Sequence, residues 1–337
     1  MHRRKIKIGI IGCGKQAPKH VNGLLAAPGV ELVLSDLKPS RAENLARKTG
    51  LAWVENPREV FEDPAIDAVD ICTPTPSHYE LIVQAIEAGK DYFVEKPLCQ
   101  SSQQARQLKR LTRANGRLGM VGYLYRFVPV FDQAKEFFQN TPRTGHSDVL
   151  GQVVAACFRI GGRGSHRVWK HRKATGGGAI NEMMVHMLDL AIWYFGPVQS
   201  VQVPVNKLLR PNRFIRGKMR TVDAEDYVVA LLTMQNGVEV LIQADLVTPG
   251  FTQLVEIQGD NGTFMGSIQS EMPSFLYCRE AVGDFNPGRN YLHYGSVNLF
   301  EAQMAEFAAV LRERRRPAKS TLDDSVLVLE AMEKIKT

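Results

Sequence analysis

Apolar runs of strand length alternate with amphipathic, helix-like segments over the first part of the chain. The four clearest runs are IKIGIIG from residue 6, VELVLSD from residue 30, DAVDICTP from residue 67 and DYFVEK from residue 91. A run that is apolar throughout, rather than at every second position, is typical of a strand covered on both faces. Such strands alternating with helices predict a parallel sheet with helices on both sides. A last run, LGMVGYLYRF, completes this unit, and we predict a first domain over residues 1–123.

The pattern changes after a predicted helix at FVPVFDQAKEFFQ. Runs that read as antiparallel strands extend from GQVVAACFRI to FTQLVEIQGDNGTFMG, and the pair Asn236-Gly237 between two of them favours a tight hairpin turn. One helix, AINEMMVHMLDLAIWYF, interrupts these strands, and two helices follow them. We therefore predict an α+β domain over residues 124–337. It should have an open, mainly antiparallel sheet and C-terminal helices that pack back on the first domain.

A glycine-rich turn follows the first predicted strand. Gly12 allows a tight turn, Gly14 lets the backbone approach a pyrophosphate, and the small Ala17 permits close helix packing, with Lys15 and Gln16 between them. The helix that begins here would direct its N-terminus at the phosphates. Asp36, at the end of the second strand, stands where a carboxylate would bond a ribose 2′-hydroxyl. This favours NAD over NADP, because Asp36 would repel a 2′-phosphate; the alternative is a glycine turn without a ligand.

Composition and charge narrow the class of protein. The 337 residues are 44% hydrophobic and 23% charged, as in ordinary globular proteins. No apolar run reaches the length of about 18 residues that a membrane span needs, and the basic N-terminus lacks a cleavage site for secretion. The five cysteines form no CxxC pair, which predicts reduced, mostly buried thiols in a cytoplasmic protein. The net charge of +7 comes without a nucleic-acid recognition motif, so nucleic-acid binding is not expected.

Five motifs, in this order and spacing, resemble the glucose–fructose oxidoreductase / inositol dehydrogenase / MocA family. They are GCGKQAPKH, TPTPSHYE, EKPL, GYLYRF and GGGAINEMMVHMLDL. The resemblance covers nearly the whole chain. It implies a doubly wound Rossmann domain, an open-faced α+β domain whose sheet carries the oligomer contact, and a homodimer or homotetramer.

The resemblance also implies site residues. Lys96 of the EKP motif and His186 after the triple glycine match the family's residues beside the nicotinamide. Glu182 stands where the family usually has aspartate, and the extra methylene displaces its carboxylate by about 1.5 Å, which matters where reacting groups must be tightly placed. The residues implied to line the cofactor, besides Lys96 itself, are Thr73, Pro74, His78, Glu95 and Pro97.

Oxidation of a secondary alcohol needs a base for the hydroxyl proton, and a histidine near neutral pH suits this. Glu182 and His186 share one face of an α-helix, as does Asp189, so a carboxylate there would orient the imidazole. Lys96 would stabilise the developing negative charge. The alternatives are a core histidine, a simple helix pair or two metal ligands, although no further ligand stands at a suitable spacing and no metal is expected. From the residues alone, His20, His78 and His166 are predicted to be structural or cofactor-adjacent.

Two stretches of the second domain contain no acidic residue, one before Glu182 and one before Asp223. The cations there are either solvated surface charges or a cradle for an anionic substrate such as the pyrophosphate of a nucleotide sugar. The predicted substrate-binding residues are Tyr123, Arg126, Arg163, Arg167, Trp169, Asn181 and Arg213.

These observations favour an NAD-dependent dehydrogenase that oxidises a ring hydroxyl of a nucleotide-activated sugar, for example UDP-N-acetylglucosamine at C3. A second hypothesis is a dehydrogenase of inositol or a free sugar. The third is a cofactor-binding regulator without turnover, against which the presence of both Lys96 and His186 argues.

Overall fold

A computed structural model describes residues 5–164, 167–269 and 271–337. Within it the chain divides into two compact units. The first unit takes the chain up to Phe127 and adds Val297–Val326, and the second comprises Val128–Ser296 and Leu327–Thr337. His166 lies outside the described residues.

The first unit is built on a sheet of six parallel strands. They are β1 (Ile6–Ile11), β2 (Val30–Ser35), β3 (Ala52–Trp53), β4 (Ala68–Ile71), β5 (Asp91–Val94) and β6 (Gly119–Val121). Their order across the sheet is β3-β2-β1-β4-β5-β6, which is the order of a dinucleotide-binding Rossmann fold. The predicted doubly wound parallel sheet is therefore confirmed. The short β3 was not predicted, because it has only two residues, both exposed, within an apolar run of four, LAWV.

Helices connect these strands. They are α1 (Ala17–Leu25), α2 (Pro39–Thr49), α3 (Pro57–Glu62), α4 (His78–Glu87) and α5 (Ser102–Ala114). The central strands are buried on both faces, as all four residues of β4 and of β5 show. Burial of continuous apolar strands between helices is the main favourable contribution to the stability of this unit.

The second unit begins with α6 (Pro129–Phe137) and α7 (Thr141–Thr144), and α8 (Val185–Phe195) follows later in the chain. Its strands are β7 (His146–Ser147), β8 (Gly151–Gly161), β9 (Val198–Lys207), β10 (Asn212–Ile215), β11 (Lys218–Thr221), β12 (Tyr227–Met234), β13 (Glu239–Asp245), β14 (Thr252–Gly259), β15 (Gly262–Gly266), β16 (Ser274–Cys278) and β17 (Gly288–Leu292). The large sheet has the order β17-β16-β15-β14-β8-β13-β12-β9, with β7 paired to β8. Among these described pairs, β8 and β13 run parallel and the rest are antiparallel, so the predicted mainly antiparallel sheet is confirmed.

One predicted loop is a hairpin. The segment KLLRPNRFIRGKMR was expected to connect sheet strands as a loop, but β10 and β11 pair within it. Phe214 lies opposite Met219 in this pair, and both side chains are exposed. The hairpin was missed because its positions are mostly basic and exposed, so no face shows the alternation that indicates a half-buried strand. The predicted hairpin turn at Gly237 is present between β12 and β13.

Two long helices follow the last strand: α9 (Leu299–Glu313) and α10 (Leu322–Lys336). Within the first unit, α9 packs on α1, where a β-carbon on Gly23 would lie 2.7 Å from the carbonyl oxygen of Phe300. Over the described parts of the chain, no helix combines the length and the apolar character needed to cross a membrane. All five cysteines are free, but only Cys99 and Cys278 are buried and the other three are partly exposed, so the expectation that most of the thiols are buried is wrong.

Candidate active site

The carboxyl ends of four neighbouring strands in the first unit carry most of the predicted cofactor residues. Gly12 follows β1, Asp36 follows β2, Thr73 lies two residues beyond β4 and Lys96 lies two residues beyond β5. Ligands of open α/β sheets bind at this edge. The fold thus brings together residues that are far apart in the sequence.

The glycine-rich turn has the geometry that a bound pyrophosphate requires. Gly12 has a φ of 96°, and a β-carbon there would come within 2.8 Å of the Thr73 side chain, so only glycine fits. A β-carbon on Gly14 would meet no atom within 4 Å, so the backbone borders open space. Helix α1 begins at Ala17 without a side-chain cap, and its positive end faces this turn. Pro18 has no N–H and the Lys19 N–H donates to the carbonyl oxygen of Gln16 at 2.9 Å, so an anion would rely on the helix dipole and on the backbone of the glycine turn. These residues fit the diphosphate of NAD.

Asp36 is held rigidly at the end of β2. Its Oδ2 accepts a hydrogen bond from the backbone N–H of Cys13 at 2.9 Å, and its Oδ1 accepts one from that of Lys38 at 2.8 Å. The Arg41 guanidinium lies 3.7 Å away. Burial, with the neighbouring Asp36 carboxylate, raises the pKa of the Cys13 thiol to about 12, so this cysteine stays neutral near pH 7. The carboxylate therefore has the position and the fixed orientation that recognition of a ribose diol needs.

The loop that carries Lys96 is held from two sides. The Glu95 carboxylate accepts a hydrogen bond from the backbone N–H of Lys96 at 3.2 Å. His78 contacts the carbonyl oxygens of Pro97 and Thr73, each at 2.9 Å from a ring nitrogen. The Lys96 side chain is half-buried at the sheet edge.

His78 was expected to line the cofactor, but the structure gives it another role. Its side chain is buried and both ring nitrogens face backbone carbonyls of the loops after β4 and β5. Burial also lowers the pKa of His78, which favours the neutral ring. A neutral ring donates to one of the two carbonyl oxygens and packs against the other, so His78 lies between these two loops, and we leave it out of the proposed cofactor contacts.

A buried cluster around His20 lies behind Glu95. One ring nitrogen, Nδ1, lies 3.0 Å from the Asp70 carboxylate and 3.3 Å from Cys72 Sγ, and the other, Nε2, lies 3.0 Å from Glu95 Oε1. We did not predict this cluster from the sequence. The available signal was Asp70 inside the apolar strand β4, because a buried carboxylate needs a hydrogen-bond or charge partner. His20 was predicted as structural or cofactor-adjacent, and its ring contacts Asp70 and Cys72 at the end of β4 and Glu95 in the loop after β5.

In the second unit, Glu182 and His186 lie on a helix that is not α-helical throughout. Residues Ile180–Met184 form a π-helical turn, and α8 continues from Val185. The prediction of a continuous α-helix here is therefore wrong. A π-helical turn contains one more residue than an α-helical turn, so the four-residue spacing of Glu182 and His186 no longer places them on one α-helical face. The Glu182 carboxylate forms an ion pair with Lys170. His186 is half-buried.

Close packing requires two of the three glycines before this turn, Gly177 and Gly178. Gly178 has a φ of 111°, and a β-carbon there would overlap the Glu225 carboxylate, which accepts a hydrogen bond from the Ile180 backbone N–H at 3.1 Å. Asn181 accepts a hydrogen bond from Lys336 Nζ at 2.9 Å. Glu225 and Lys336 thus position the start of the helix, and neither was predicted.

The residues predicted to bind an anionic substrate have protein partners. Arg213 pairs with the buried Asp226 at 2.8 Å and donates to the carbonyl oxygen of Leu246 at 2.8 Å. Arg163 is exposed and donates to the carbonyl oxygen of Pro249 at 2.6 Å. These two guanidinium groups bind the protein itself, and for Arg213 the contact is a buried ion pair.

Other predicted substrate residues also take part in packing. Arg126 is 1% exposed, pairs with Asp324 at 2.9 Å and lies over the ring of the buried Tyr123. Trp169 and Arg167 are half-buried, and Lys170 Nζ lies 5.2 Å from the Trp169 ring centroid. The expected cradle therefore lacks Arg213 and Lys170 as available cations, and Arg126, a predicted substrate residue outside the two acid-free stretches, is paired as well.

The fold and the glycine turn define an oxidoreductase with an NAD-binding Rossmann domain. The family model described as "Oxidoreductase family, NAD-binding Rossmann fold" matches residues 6–123, and the model of the GFO/IDH/MocA C-terminal domain matches residues 142–265. The chain belongs to the GFO/IDH/MocA family, as its motifs indicated. It is an oxidoreductase whose cofactor is NAD.

The names of several similar proteins state that they act on polyols or sugars. The scyllo-inositol 2-dehydrogenase (NAD(+)) of Bacillus subtilis is 26% identical over 96% of this chain and 91% of its own length. The inositol 2-dehydrogenase of Acidothermus cellulolyticus is 28% identical over 95% of this chain and 89% of its own. A solved structure of levoglucosan dehydrogenase in complex with NADH and L-sorbose superposes with a TM-score of 0.87 at 20% identity. It covers 98% of this chain and 96% of its own, and it supports the fold.

Proposed function

We propose that this protein is an NAD-dependent dehydrogenase that oxidises a ring hydroxyl of an inositol or another free sugar or polyol. The choice of substrate rests on one observation: cations that were predicted to bind a pyrophosphate already form ion pairs with acidic residues of the protein. Within the two acid-free stretches, Arg213 is paired with Asp226 and Lys170 with Glu182. Arg126, predicted to bind substrate from outside these stretches, is paired with Asp324. A diphosphate would have to displace acidic partners from these cations, at a cost that a neutral polyol does not incur.

The names of the relatives support the same choice. Inositol dehydrogenases match this chain over almost its full length, and so does the levoglucosan dehydrogenase structure. We therefore favour the free polyol over the nucleotide sugar that the basic stretches first indicated.

Each proposed catalytic residue has a defined task. Lys96 donates to the hydroxyl oxygen of the substrate and stabilises the negative charge that develops there. His186 takes the hydroxyl proton as general base. NAD, when bound, accepts the hydride from the carbon that carries this hydroxyl. Glu182 is proposed to act indirectly, because its carboxylate pairs with Lys170 and can orient the start of the catalytic helix.

The cofactor is proposed to bind along the glycine turn. The diphosphate would be surrounded by the residues of this turn, which are Gly12, Gly14, Lys15, Gln16 and Ala17. The ribose would be bound by Asp36. The nicotinamide end is proposed to contact Thr73, Pro74, Glu95, Lys96 and Pro97.

One face of the large sheet supports a proposed homodimer or homotetramer. Burial alternates along β12 and β13, and Leu231 and Leu241, which are paired across these strands, lie on the less buried face. An apolar open face favours association with a second copy. Sedimentation of the purified protein should give twice or four times the chain mass, and a monomer over the micromolar range would contradict this proposal.

A substrate screen tests the proposed reaction. We expect reduction of NAD with myo-inositol, scyllo-inositol or a free hexose, and slower reduction of NADP because Asp36 repels a 2′-phosphate. UDP-N-acetylglucosamine should be a poor substrate. Formation of NADH with the nucleotide sugar and with no free polyol would contradict the proposal and restore the cradle hypothesis.

A further inference from the structure

We propose that His20 is a positioning residue for the reaction: its imidazole lies between Asp70 and Glu95 and holds the Glu95 carboxylate where that carboxylate fixes the backbone of Lys96. The catalytic part of this proposal rests on the proposed function, and the structural part does not.

The contacts form a continuous chain from β4 to the catalytic loop. Asp70 in β4 contacts His20 Nδ1 at 3.0 Å, and His20 Nε2 contacts Glu95 Oε1 at 3.0 Å. The second oxygen of the same carboxylate, Oε2, accepts the hydrogen bond from the Lys96 backbone N–H. Both Asp70 and His20 are fully buried, so no water competes for these bonds. Rotation of the Glu95 side chain would break the contact with His20 and the contact with Lys96 together.

The two nitrogens of His20 both face carboxylates, and this favours an imidazolium. Burial alone would lower the pKa of His20, but the Asp70 carboxylate and the Cys72 sulfur overcome this effect and raise the pKa well above its usual value. For Glu95, burial works towards a higher pKa, and the hydrogen bond and charge of His20 outweigh it and hold the pKa below its usual value. A doubly protonated ring can donate to both neighbours at once, which a neutral ring cannot.

The elements packed around His20 are β4, which contributes polar groups, and β5 and α9, which contribute aromatic rings. From β4 come Asp70 and Cys72, and burial raises the pKa of the Cys72 thiol to about 12, so the thiol is neutral. From β5 and α9 come the rings of Phe93 and Phe300, with centroids 5.5 Å and 5.7 Å from the imidazole.

Two cations complete these surroundings. Lys19 is next to His20 on helix α1, and its Nζ lies 4.7 Å from the centroid of the Phe300 ring. Lys96 follows Glu95 in the chain. The two carboxylates are thus the charged groups in direct contact with the imidazole among the described residues.

The same cluster offers an alternative occupant. One ligand atom each from His20, Asp70 and Cys72 lies within 4.8 Å of the others, which a zinc ion could bridge. A metal would need the Cys72 thiolate, and the raised pKa of this thiol opposes its formation. We therefore favour a proton on His20 Nδ1 over a metal ion, and metal analysis of the purified protein is part of the test.

Removing the imidazolium should create a new pH dependence. In His20→Gln, the largest effect that opposes burial is lost and only the charge and backbone N–H of Lys96 remain, so the pKa of Glu95 rises and the carboxylate takes up a proton at a higher pH than in wild type. A protonated Glu95 holds the Lys96 N–H less strongly, because charge-assisted hydrogen bonds are the stronger ones. We expect kcat of His20→Gln to be about tenfold below wild type near pH 6 and to recover to within about threefold near pH 9. A purely structural role would lower kcat by the same factor at both pH values.

Matched variants isolate the effect. Asp70→Asn, which keeps the shape of the side chain, should shift the profile in the same direction by a smaller amount, and it carries the test if His20→Gln does not fold. Adding Glu95→Gln to His20→Gln should abolish the new pH dependence. His146→Gln, a change of an exposed histidine far along the chain, should leave both limbs of the profile unchanged.

Two measurements do not depend on turnover. NMR of ¹⁵N-histidine-labelled protein should show one imidazole, absent from His20→Gln, that keeps both ring protons well above pH 6.5. Exchange of the Lys96 amide proton should be about tenfold faster in His20→Gln than in wild type. If no polyol is oxidised, the proposed function fails, and these two results still decide the role of His20.

The outcomes that overturn the proposal are distinct. They are an imidazole that loses its proton near the ordinary histidine value, unchanged exchange of the Lys96 amide, superimposable pH profiles of wild type and variant, or one equivalent of zinc bound by the purified protein.

Discussion

Lys96→Met is expected to lower kcat by about 10³-fold while the affinity for NAD stays within about threefold of wild type. The side chain is half-buried at the carboxyl edge of the sheet, and Glu95 and His78 hold the backbone on either side of it. Methionine keeps most of the length and the apolar stem but removes the donor and the charge. The loss should therefore appear in the chemical step, because the ammonium stabilises charge that develops only in the transition state.

Calorimetric titration with NAD and steady-state kinetics with the polyol found in the screen separate the two effects. Lys48→Met, which changes an exposed lysine of α2, is the control and should leave kcat unchanged. Wild-type kcat in Lys96→Met would show that Lys96 is a solvated lysine at a loop edge. An equal loss of NAD affinity would assign it to cofactor binding instead.

Asp226→Ala is expected to reduce the free energy of unfolding by about 3–5 kcal/mol, the usual effect of removing one partner from a buried ion pair. Asp226 is 1% exposed and accepts hydrogen bonds from the backbone N–H groups of Leu209 and Arg210 as well as from Arg213. The substitution leaves the Arg213 guanidinium, whose side chain is 9% exposed, without its carboxylate. The second unit should therefore unfold at a lower urea concentration.

Urea unfolding followed by circular dichroism measures this change. Asp223→Ala removes an exposed carboxylate that accepts one backbone hydrogen bond, from Lys173, and should cost about 1 kcal/mol or less. The double variant Arg213→Met/Asp226→Leu should regain part of the lost stability, since apolar replacement of a buried pair is tolerated. Unchanged stability of Asp226→Ala together with a raised KM for substrate would mean that Arg213 serves the substrate after all.

The sheets could be predicted because their strands have simple patterns. Continuous apolar runs such as β1 indicate a parallel strand between two helical layers, and the Asn236-Gly237 pair marks the hairpin of β12 and β13. The glycine turn was recognisable because Gly12 has a conformation that other residues rarely adopt. Each of these signals is local, so a single sequence carries it.

The parts that the sequence did not predict depend on contacts between distant residues or on a small change of helical geometry. Asp226 pairs with Arg213 and Glu182 with Lys170 only once the chain has folded, so a count of cations suggested a cradle where ion pairs exist. The π-helical turn at Ile180–Met184 adds one residue to a turn without any change in apolar pattern. His20 meets Glu95, 75 positions later in the chain, through the parallel sheet.

Transfer of deuterium from substrate to cofactor tests the central claim most directly. The wild-type protein is incubated with NAD and an inositol deuterated at every ring carbon, and the mass of the NADH formed is measured. We predict NADH that carries one deuterium, a slower turnover than with the protonated inositol, and formation of this product about 10³-fold more slowly with Lys96→Met. Absence of labelled NADH with inositols and free sugars, under conditions where the protein binds NAD and reduces it with a nucleotide sugar, would contradict the account.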